Sequence, residues 1–440
     1  MSNTVGSWGR YPDAPQTAHA CLWRADAVTH IQRMQATHTH FLPYGNGRSY
    51  GDSCLAASHH VLHMRGMDRF ISADWATGLV HIEAGMTLGE LLPVCVPRGW
   101  FLPVTPGTKF ATVGGAVAND VHGKNHHVRG TFGRHVRAFE LARSDQEKHL
   151  RCTSTEHPEL FGATIGGLGL TGVILSVELQ LMRVQSSAIQ VRSRRFGSLP
   201  EFFSLSTEMD ALHEYTVAWV DCLARGQSLG RGIFYAGDHV EAGLLRPHAV
   251  GGKRIPFTPP VSPINRLTLS SFNAAYYHRP LGRPGGERVE YDGFFYPLDG
   301  VLEWNRLYGP KGFQQHQCVL PDAHAQNALA EILTAVAASG RGSFLAVLKR
   351  CGALPSPGLM SFPMPGVSLA LDFAQHQDLN ERLFPQLDAI VRDAGGRLYP
   401  AKDAHMSAQN FQAFYPQWPA LEALRDPALM SQFWKRVTEA

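Results

Sequence analysis

The segment Tyr44-Gly-Asn-Gly-Arg-Ser-Tyr-Gly-Asp52 begins at the last residue of a short strand, which we predict at residues 41–44. Glycine has no Cβ atom, so a run of glycines lets backbone N–H groups converge on a ligand such as a pyrophosphate. The segment does not open a helix as a Rossmann GxGxxG does, and it lacks the Gly-Lys-Ser/Thr of a P-loop. By itself it is compatible with cofactor binding and, equally, with a plain structural turn.

Two more glycine-rich segments, residues 107–115 and 166–172, lie in the same half of the chain. The second leads into residues 173–181, where apolar side chains at alternate positions predict a strand. Three such segments indicate an extended ligand that passes several loops, and FAD is a cofactor that needs contacts along its whole length. Residues 105–133 are rich in Gly, His and Lys, so we expect irregular backbone that contacts this ligand.

The length of 440 residues predicts two domains of roughly 200 residues each. Hydrophobic residues make up 44% and charged residues 18%, a profile typical of a folded enzyme rather than of a disordered chain. The net charge of +3 gives no reason to expect a nucleic-acid partner. The 7 cysteines are scattered and odd in number, so they predict a reducing compartment and neither a disulfide framework nor a zinc site.

The sequence predicts neither export nor a membrane span. No apolar run approaches ~20 residues, and the first residues lack the layout of a signal peptide. We therefore expect a soluble, cytoplasmic protein. Peripheral docking at the inner face of the membrane stays open, because it needs only a basic or apolar patch.

Hydrophobic periodicity predicts a mixture of helices and strands. Helices are predicted at residues 25–36, 88–96 and 328–338, and strands at 41–44, 80–84, 173–181, 216–222, 344–349 and 367–373. Thr87 and Glu90 form a capping-box pattern before the second helix, and Gly99 follows its end. The pattern changes near Arg183, after which strands and helices alternate in a second α+β domain. Residues 246–286 are rich in Pro, Gly, Arg and His, which predicts a long mobile loop.

Motifs in both halves of the chain are distinctive in combination. They are segments 44–52 and 166–172, Pro106-Gly-Thr108, Thr112-Val-Gly-Gly115, Asp120-Val-His-Gly-Lys-Asn-His-His127, Glu303-Trp-Asn-Arg306, Tyr308-Gly-Pro310, Ser361-Phe-Pro363 and Gly396-Arg-Leu-Tyr-Pro-Ala-Lys-Asp403. Together they resemble the vanillyl-alcohol-oxidase superfamily of FAD-binding oxidoreductases over nearly the whole chain. Within it, they are most similar to the branch that oxidises the 2'-hydroxyl of polyprenylphosphoryl ribose.

The resemblance implies an α+β, two-domain PCMH/VAO-type FAD-binding fold. Its inserted substrate domain would contain an antiparallel sheet flanked by helices. Residues 1–184 would form the first part of the FAD-binding domain, 185–396 the substrate-binding cap domain, and 397–440 a C-terminal segment that returns to the FAD-binding domain.

The resemblance also implies FAD as the cofactor. It assigns cofactor contacts to Pro43, Tyr44, Gly45, Asn46, Gly47, Arg48, Ser49, Tyr50, Gly51, Asp52, Ser53, Gly107, Thr112, Val113, Gly114, Gly115, Asn119, Asp120, Val121, His122, Ile174 and Tyr399. Some relatives attach the flavin covalently through a histidine where this chain carries Arg48. A guanidinium does not form that bond, so we predict non-covalent FAD.

Oxidation of an alcohol by a flavin needs a group that assists loss of the hydroxyl proton. The resemblance assigns this catalytic role to Lys402 and His122. It implies substrate contacts for Tyr50, Lys124, Trp219, Gln315, Gln317, Lys349 and Lys402. The lysines suit a phosphate-bearing substrate, because a compact ammonium group neutralises anionic oxygens.

The same residue types also have ordinary roles. A lysine is usually a solvated surface residue, and Trp219 can simply pack in a core, as an aromatic residue in a strand usually does. His122 and His127 have no Cys, Asp or Glu companions at ligand spacing. We therefore predict no metal site.

The sequence departs from the mycobacterial members of this branch at five positions. Ala370 stands where they have a cysteine that nitroaromatic inhibitors capture, and Phe295 replaces a tyrosine of the substrate pocket. On one strand, Gln314, His316 and Cys318 replace leucine, tyrosine and phenylalanine. We expect these changes to leave the flavin chemistry intact and to affect which sugar is bound.

The resemblance predicts FAD-dependent oxidation of a sugar hydroxyl, specifically the 2'-hydroxyl of a polyprenylphosphoryl-β-D-ribose to the 2'-keto form. This would be the first half of an epimerisation toward the arabinose donor, completed by a separate short-chain reductase. One alternative is an aldonolactone or alditol oxidase that acts on a soluble sugar with oxygen as acceptor. Another is a flavin-free sugar-binding or scaffold protein. Residues 246–286 would face the lipid-bearing membrane or form a plain surface insertion.

Overall fold

The computed structural model describes residues 4–248, 251–283 and 285–439. The strands are β1 (Thr4–Val5), β2 (Gln16–Ala20), β3 (Leu42–Tyr44), β4 (His60–His63), β5 (Phe70–Asp74), β6 (Leu79–Glu83), β7 (Trp100–Phe101), β8 (Val136–Ala142), β9 (Leu150–Thr153), β10 (Val173–Gln180), β11 (Met182–Arg183), β12 (Ala188–Phe196), β13 (Tyr215–Val220), β14 (Gly232–His239), β15 (Lys253–Arg254), β16 (Glu287–Glu290), β17 (Val301–Leu302), β18 (Phe313–Pro321), β19 (Val347–Cys351), β20 (Gly366–Ala374) and β21 (Arg397–Leu398). The helices are α1 (Ala27–Thr37), α2 (Leu88–Cys95), α3 (Val113–Ala118), α4 (His126–Arg129), α5 (Pro158–Thr164), α6 (Leu199–Asp210), α7 (Arg266–His278), α8 (Tyr291–Phe295), α9 (Asp322–Ser339), α10 (Phe384–Asp393), α11 (Ala408–Phe414), α12 (Trp418–Leu424) and α13 (Gln432–Thr438).

Three sheets carry the architecture. In the smallest, of order β1-β2-β4-β3, the strands β2, β4 and β3 run parallel. The second is antiparallel, with the order β5-β6-β10-β8-β9. The largest is an antiparallel sheet of 8 strands in the order β16-β12-β14-β13-β19-β20-β18-β21, and α6 and α9 pack against it. Antiparallel sheets flanked by helices confirm the predicted α+β class.

Alternation along β20 shows how the largest sheet positions polar groups. One face is buried in the core through Val367, Leu369, Leu371 and Phe373. Side chains at intervening positions point to the opposite face of the sheet. Ser368, Ala370 and Asp372 therefore line a large cavity on that side.

Several predicted elements are confirmed. The Thr87 side chain accepts a hydrogen bond from the Glu90 backbone, and the Glu90 side chain accepts one from the Thr87 backbone, so the capping box before α2 is formed. Gly99 follows this helix in the left-handed region, with φ of 79°. The strand predicted at 173–181 is β10, and the predicted helix at 25–36 is α1, shifted by one to two residues.

Other elements differ from the prediction. Residues 105–133 are not irregular throughout, since they contain the short helices α3 and α4. Thr112 starts α3 by accepting a hydrogen bond from Gly115 N. The helix predicted at 328–338 begins already at Asp322, and the strand predicted at 344–349 begins only at Val347. Boundaries are set by caps and by pairing with neighbouring strands, which periodicity does not report.

The prediction of a long irregular loop at residues 246–286 is wrong for its second half, which contains α7. The side chain of Asn265 accepts hydrogen bonds from the backbone of Leu267 and Thr268 and so starts this helix. Only Leu269 and Asn273 of α7 are buried, so its apolar stripe is too weak to be read from the sequence. Residues 249, 250 and 284 of the predicted loop lie outside the described residues.

The C-terminal residues return to the first glycine loop. Phe41 pairs with Leu429, and the Arg436 guanidinium binds the Asp52 carboxylate at 2.9 Å. The strand β21 at residues 397–398 pairs with β18 at the edge of the largest sheet. The division into 1–184, 185–396 and 397–440 stays a prediction. Among the described residues, none of the helices combines the length and the apolarity that crossing a bilayer requires.

Candidate active site

A cavity of ≈ 1380 Å³ lies where the three glycine-rich segments meet one face of the largest sheet. Its walls are contributed by loops before and after β3, by the region around α3, by the start of β10 and by strands β13, β18, β19 and β20. Pockets for a drug-sized ligand usually measure about 300–1,000 Å³. The cavity is therefore large enough for an extended cofactor together with a second molecule.

Two glycines of the cavity wall, Gly45 and Gly47, stand where another residue would not fit. A Cβ atom at Gly45 would lie 2.4 Å from the Thr112 side-chain oxygen, and Gly47 has a left-handed φ of 58°. A Cβ atom at Gly107 would meet no atom within 4 Å, so this backbone borders open space. The side-chain atoms Arg48 Nε and Ser53 Oγ are buried and lack a hydrogen-bond partner among the described residues. A bare backbone and unpaired polar groups in one cavity wall fit a polar, phosphate-bearing cofactor such as FAD.

Most residues predicted to contact the cofactor line the cavity. They are Pro43, Tyr44, Gly45, Asn46, Gly47, Arg48, Ser49, Tyr50, Ser53, Gly107, Thr112, Gly114, Gly115, Asn119, Val121, His122, Ile174 and Tyr399. The Tyr399 hydroxyl also donates to the Asn119 carbonyl oxygen at 2.9 Å, which joins two of the walls.

Four predicted cofactor residues do not line the cavity, and each has a supporting position instead. Val113 is fully buried in the core. A Cβ at Gly51 would lie 1.7 Å from the Asp403 carbonyl oxygen, so Gly51 packs against the turn that carries Lys402. Asp52 is paired with Arg436, as described above.

Asp120 is the fourth predicted cofactor residue that does not line the cavity, and it is fully buried. Its carboxylate accepts hydrogen bonds from the hydroxyls of Ser356 and Ser361 and from the Gly133 backbone N–H. Burial raises its pKa, and these hydrogen bonds oppose that rise. Asp120 thus fixes the backbone two residues before His122.

Arg48, which stands at the position of covalent attachment in some relatives, is held between two aromatic rings. Its guanidinium carbon lies 4.2 Å from the Trp8 ring centroid and 5.1 Å from that of Phe110. Cation–π contacts of this kind fix a guanidinium in place. The chain therefore presents a fixed cation at this point of the cavity, and no nucleophilic ring nitrogen.

Lys402 contacts Tyr50 of the first glycine loop. Its Nζ is 3.4 Å from the centroid of the Tyr50 ring, and the Tyr50 backbone N–H donates to the Ala401 carbonyl oxygen at 3.0 Å. Burial lowers the pKa of Lys402, and the nearby Asp372 carboxylate opposes this shift. A lysine with a lowered pKa is partly neutral near physiological pH and can accept a proton.

His122 is held by two side chains at once. Lys349 Nζ contacts its Nδ1 and donates to the Gly123 carbonyl oxygen at 3.0 Å, while the Gln317 amide lies 3.2 Å from its Nε2. Burial, followed by the positive charge of Lys349, lowers the pKa of His122 well below its usual value. The imidazole is therefore neutral, and a side-chain nitrogen donor faces each of its ring nitrogens, the Lys349 amine at Nδ1 and the Gln317 amide nitrogen at Nε2.

The two remaining lysines predicted to contact substrate are also buried. Burial lowers the pKa of Lys349 to about 8 and, together with the charge of Lys349, that of Lys124 to about 7. Lys124 Nζ donates to the Phe294 carbonyl oxygen and lies 4.6 Å from the Phe294 ring. An anion entering the cavity would restore the charged state of both amines, so the pair is suited to a phosphate group.

All residues predicted to contact substrate line this cavity: Tyr50, Lys124, Trp219, Gln315, Gln317, Lys349 and Lys402. Trp219 also packs, with its ring centroid 4.6 Å from that of Tyr276 and its indole N–H donating to the Phe344 carbonyl oxygen at 2.9 Å. Trp219 therefore packs against its neighbours and also lines the cavity, and its contact with substrate stays a prediction.

Asp372 is a further cavity residue, which the sequence motifs did not single out. This carboxylate lines the cavity, accepts a hydrogen bond from the Gln315 amide, and has a pKa raised by burial. A signal was present, because Asp372 is the one charged residue in an apolar strand pattern, at even spacing from Ser368 and Ala370.

The departures from the mycobacterial pattern separate into two groups. Ala370 and Phe295 line the cavity. Gln314, His316 and Cys318 do not, because they alternate with Gln315 and Gln317 on β18 and face the other side of the sheet. The expectation that these three affect sugar binding is corrected accordingly: Gln314 bonds to Gln375 and Asn380, His316 bonds to Asp388, and Cys318 is in the core.

Comparison with known proteins agrees with this geometry. Residues 24–153 match the family model described as an FAD binding domain. The chain is 35% identical over 399 residues to a decaprenylphosphoryl-β-D-ribose oxidase of Mycolicibacterium smegmatis, with 87% of this chain and 85% of that protein covered. It is 33% identical over 362 residues to an uncharacterised protein of Streptomyces coelicolor, covering 78% of this chain and 96% of the other.

A shorter match covers about a third of the chain. L-gulonolactone oxidase of Mus musculus is 31% identical over 138 residues, which is 31% of this chain and 30% of that protein. The predicted cofactor is confirmed as FAD. The chain belongs to the family of FAD-dependent oxidoreductases that includes decaprenylphosphoryl-β-D-ribose oxidase.

Proposed function

We propose that the protein oxidises the 2'-hydroxyl of a polyprenylphosphoryl-β-D-ribose to the 2'-keto form. The observation that carries the proposal is that Lys124, Lys349 and Lys402, all with lowered pKa, converge in one cavity. A neutral sugar alcohol gives no compensation for the buried amines of Lys124 and Lys349, whereas a phosphate group does, and Lys402 remains for the hydroxyl. The named activity of the mycobacterial relative has the same substrate chemistry.

The cavity also offers apolar surface for a lipid. Trp219, Phe272 and Tyr276 line it together, and Phe272 stacks on Tyr276 at 5.6 Å. Arg279, which also lines the cavity, lies 4.5 Å from the Tyr276 ring. Aromatic surface next to cationic groups matches a molecule with a phosphate joined to a hydrocarbon chain.

In this proposal Lys402 takes the proton of the 2'-hydroxyl. FAD, when bound, supplies the two-electron acceptor for the hydride that leaves the carbinol carbon. The neutral Lys402 amine gains one proton, so the substrate loses two hydrogens and two electrons in total. His122, kept neutral by burial and by the charge of Lys349, is held in place by Lys349 and Gln317 and helps to orient the sugar, and the amides of Gln315 and Gln317 supply further polar contacts.

We further propose peripheral contact with a membrane, because such a substrate resides in one. Phe257, Val261 and Leu267 have 66%, 78% and 76% of their surface exposed and belong to the segment before and within α7. Exposed apolar side chains next to the exposed basic strand β15 are suited to an anionic bilayer surface. Sedimentation with anionic vesicles should carry the wild type down and leave a Phe257→Ser/Val261→Ser variant in solution, and equal sedimentation would count against this surface.

The keto product implies a second enzyme. A 2'-keto sugar must be reduced again for epimerisation toward the arabinose donor, so we propose a short-chain reductase as the functional partner. Adding a purified candidate reductase with its nicotinamide cofactor to the oxidised product should yield the arabino epimer.

The direct test is anaerobic bleaching of the flavin absorbance. Polyprenylphosphoryl ribose should bleach it rapidly, whereas the same pentose without phosphate and lipid, and free aldonolactones or alditols, should be slow. Preferred bleaching by a free sugar, with one hydrogen peroxide formed per turnover in air, would overturn the proposal in favour of a soluble-sugar oxidase.

A further inference from the structure

Three histidine side chains meet at the protein surface. His19 lies on β2, His60 begins β4, and His38 directly follows the end of α1. One ring nitrogen of each can be chosen such that all three atoms lie within 4.8 Å of one another. None of the three lines the large cavity. Their segments are separate in the sequence, and the small parallel sheet brings them together.

The arrangement is close to that of a metal site. His19 Nε2 lies 3.1 Å from His60 Nδ1, and the rings of His38 and His60 stack with centroids 3.7 Å apart. Tetrahedral Zn²⁺ with Zn–N bonds of 2.0–2.1 Å separates its ligand nitrogens by about 3.3 Å. The first pair already has nearly this separation. Rotation of the His38 ring out of the stack would bring the third nitrogen to the same centre, which is possible because all three side chains are only half-buried.

The charge state also suits a metal. Burial lowers the pKa of each of His19, His38 and His60, and a neighbouring histidine adds to each shift. A neutral imidazole is the form that coordinates a metal ion. Without a metal, three ring nitrogens face one another and at most hydrogen bond in pairs.

The parallel strands separate this cluster from the cofactor loop. His60 is the first residue of β4, and His38 precedes β3, whereas the first glycine loop follows the carboxyl end of β3. Because β3 and β4 run parallel, His38 and His60 lie toward the end of this sheet opposite to the loop. His19 is in register with Leu62, and its side chain reaches His60. None of the three lines the cavity that the loop borders. A ligand at the histidines would therefore not compete with FAD.

We propose that His19, His38 and His60 together bind one divalent transition-metal ion, with Zn²⁺ as the fitting representative and water as the fourth ligand. Three imidazoles with an open position are a known zinc coordination set, and imidazole nitrogen suits Zn²⁺, Cu²⁺ and Ni²⁺. The ion joins β2, the end of α1 and β4, so it stabilises this part of the fold against unfolding.

A second group of potential ligands serves as the internal comparison. His316, Asp388 and His405 also lie within ligand reach of one another, but they are deeply placed. His316 and His405 both hydrogen bond to the Asp388 carboxylate, at 3.1 and 3.3 Å. This group already has internal partners, so we assign the metal to the surface histidines.

The test uses untagged, FAD-loaded full-length protein that has been treated with a chelator. Titration with ZnCl₂ against a chromophoric competitor should show one tightly bound ion per chain. Zinc K-edge absorption should show about three imidazole nitrogens at roughly 2.0–2.1 Å. His19→Gln and His60→Gln should each weaken binding by about tenfold or more. His324→Gln, an exposed histidine on α9, is the matched control and should bind zinc as the wild type does.

Folding of each variant is checked by its flavin absorbance and circular dichroism. Zinc should raise the thermal unfolding midpoint of the wild type and of His324→Gln, and should leave that of His60→Gln unchanged. His38→Gln supplies a third ligand variant if either of the others fails to fold. No tight zinc binding, or equal binding in the ligand variants and the control, would overturn the proposal. Loss of binding in His316→Gln alone would move the site to the second group and overturn it as well.

Discussion

The Nζ atom of Lys402 lies 3.4 Å from the centroid of the Tyr50 ring. Tyr50 belongs to the first glycine loop, and Lys402 lies more than three hundred residues later in the sequence. The contact places a buried amine with a lowered pKa directly at the wall of the cofactor cavity. One contact therefore joins the first glycine loop to the amine that we propose as the proton acceptor.

Replacing Lys402 by methionine should leave FAD bound and should slow flavin reduction by substrate about 10²–10⁴-fold, the usual contribution of a positioned acid–base group. Stopped-flow absorbance under anaerobic conditions measures this rate. Lys435→Met, at an exposed position on α13, is the control and should reduce its flavin normally. A normal rate in the Lys402 variant would remove this residue from the mechanism.

The rate of flavin reduction should rise with pH as Lys402 loses its proton. Because burial lowers its pKa, the rise should be complete at lower pH than for an exposed lysine. The Asp372 carboxylate raises the pKa of Lys402, so Asp372→Asn should move the rising limb to lower pH. A limb that moves to higher pH, or stays in place, would contradict the electrostatic coupling of the two groups.

Loss of charge on Lys124 and Lys349 should make kcat/KM for a phosphate-bearing substrate fall with rising pH. Their pKa values of about 7 and about 8 mean that both lose their charge as pH rises above neutrality. Phosphate binding needs the charge, so kcat/KM for a phosphoryl-lipid pentose should fall there. A phosphate-free sugar alcohol is the control and should show no such fall. If kcat/KM falls equally for both substrates, a group other than these two lysines causes the decrease.

Asp120→Ala should lower the free energy of unfolding by about 3 kcal/mol, because it leaves two hydroxyls and a backbone N–H without their buried acceptor. It should also weaken FAD binding, since Asp120 fixes the backbone beside His122. Urea unfolding and FAD fluorescence measure the two effects. Asp13→Ala, at an exposed position, should change neither. Unchanged stability of the Asp120 variant would show that these three hydrogen bonds do not stabilise the fold.

Acid precipitation of the protein should release the flavin into the supernatant, because Arg48 occupies the position of histidyl attachment. Absorbance of the two fractions settles the point. Flavin that stays with the pellet and survives washing in denaturant would mean a covalent link through another residue. Arg48→Ala should lower FAD affinity, since it removes the cation held between Trp8 and Phe110.

The local features of this protein can be read from the order of its residues. Glycine segments, the capping box before α2 and the alternation in β10 depend on neighbouring residues, so their pattern is visible in the chain. Family resemblance extended this to the α+β fold and to FAD. The helix α7 was not predicted because its apolar stripe is weak, although Asn265 provides a clear N-terminal cap.

Tertiary packing determines which side chains share a space. It set Gly51, Asp52, Val113 and Asp120 back from the cavity and brought Asp372 to Lys402. It turned the altered side chains of β18 away from the cavity, and it assembled His19, His38 and His60. The physical reason is the same in each case. Packing of strands and loops that are distant in sequence fixes burial and distance, and these set the charge and reach of each group.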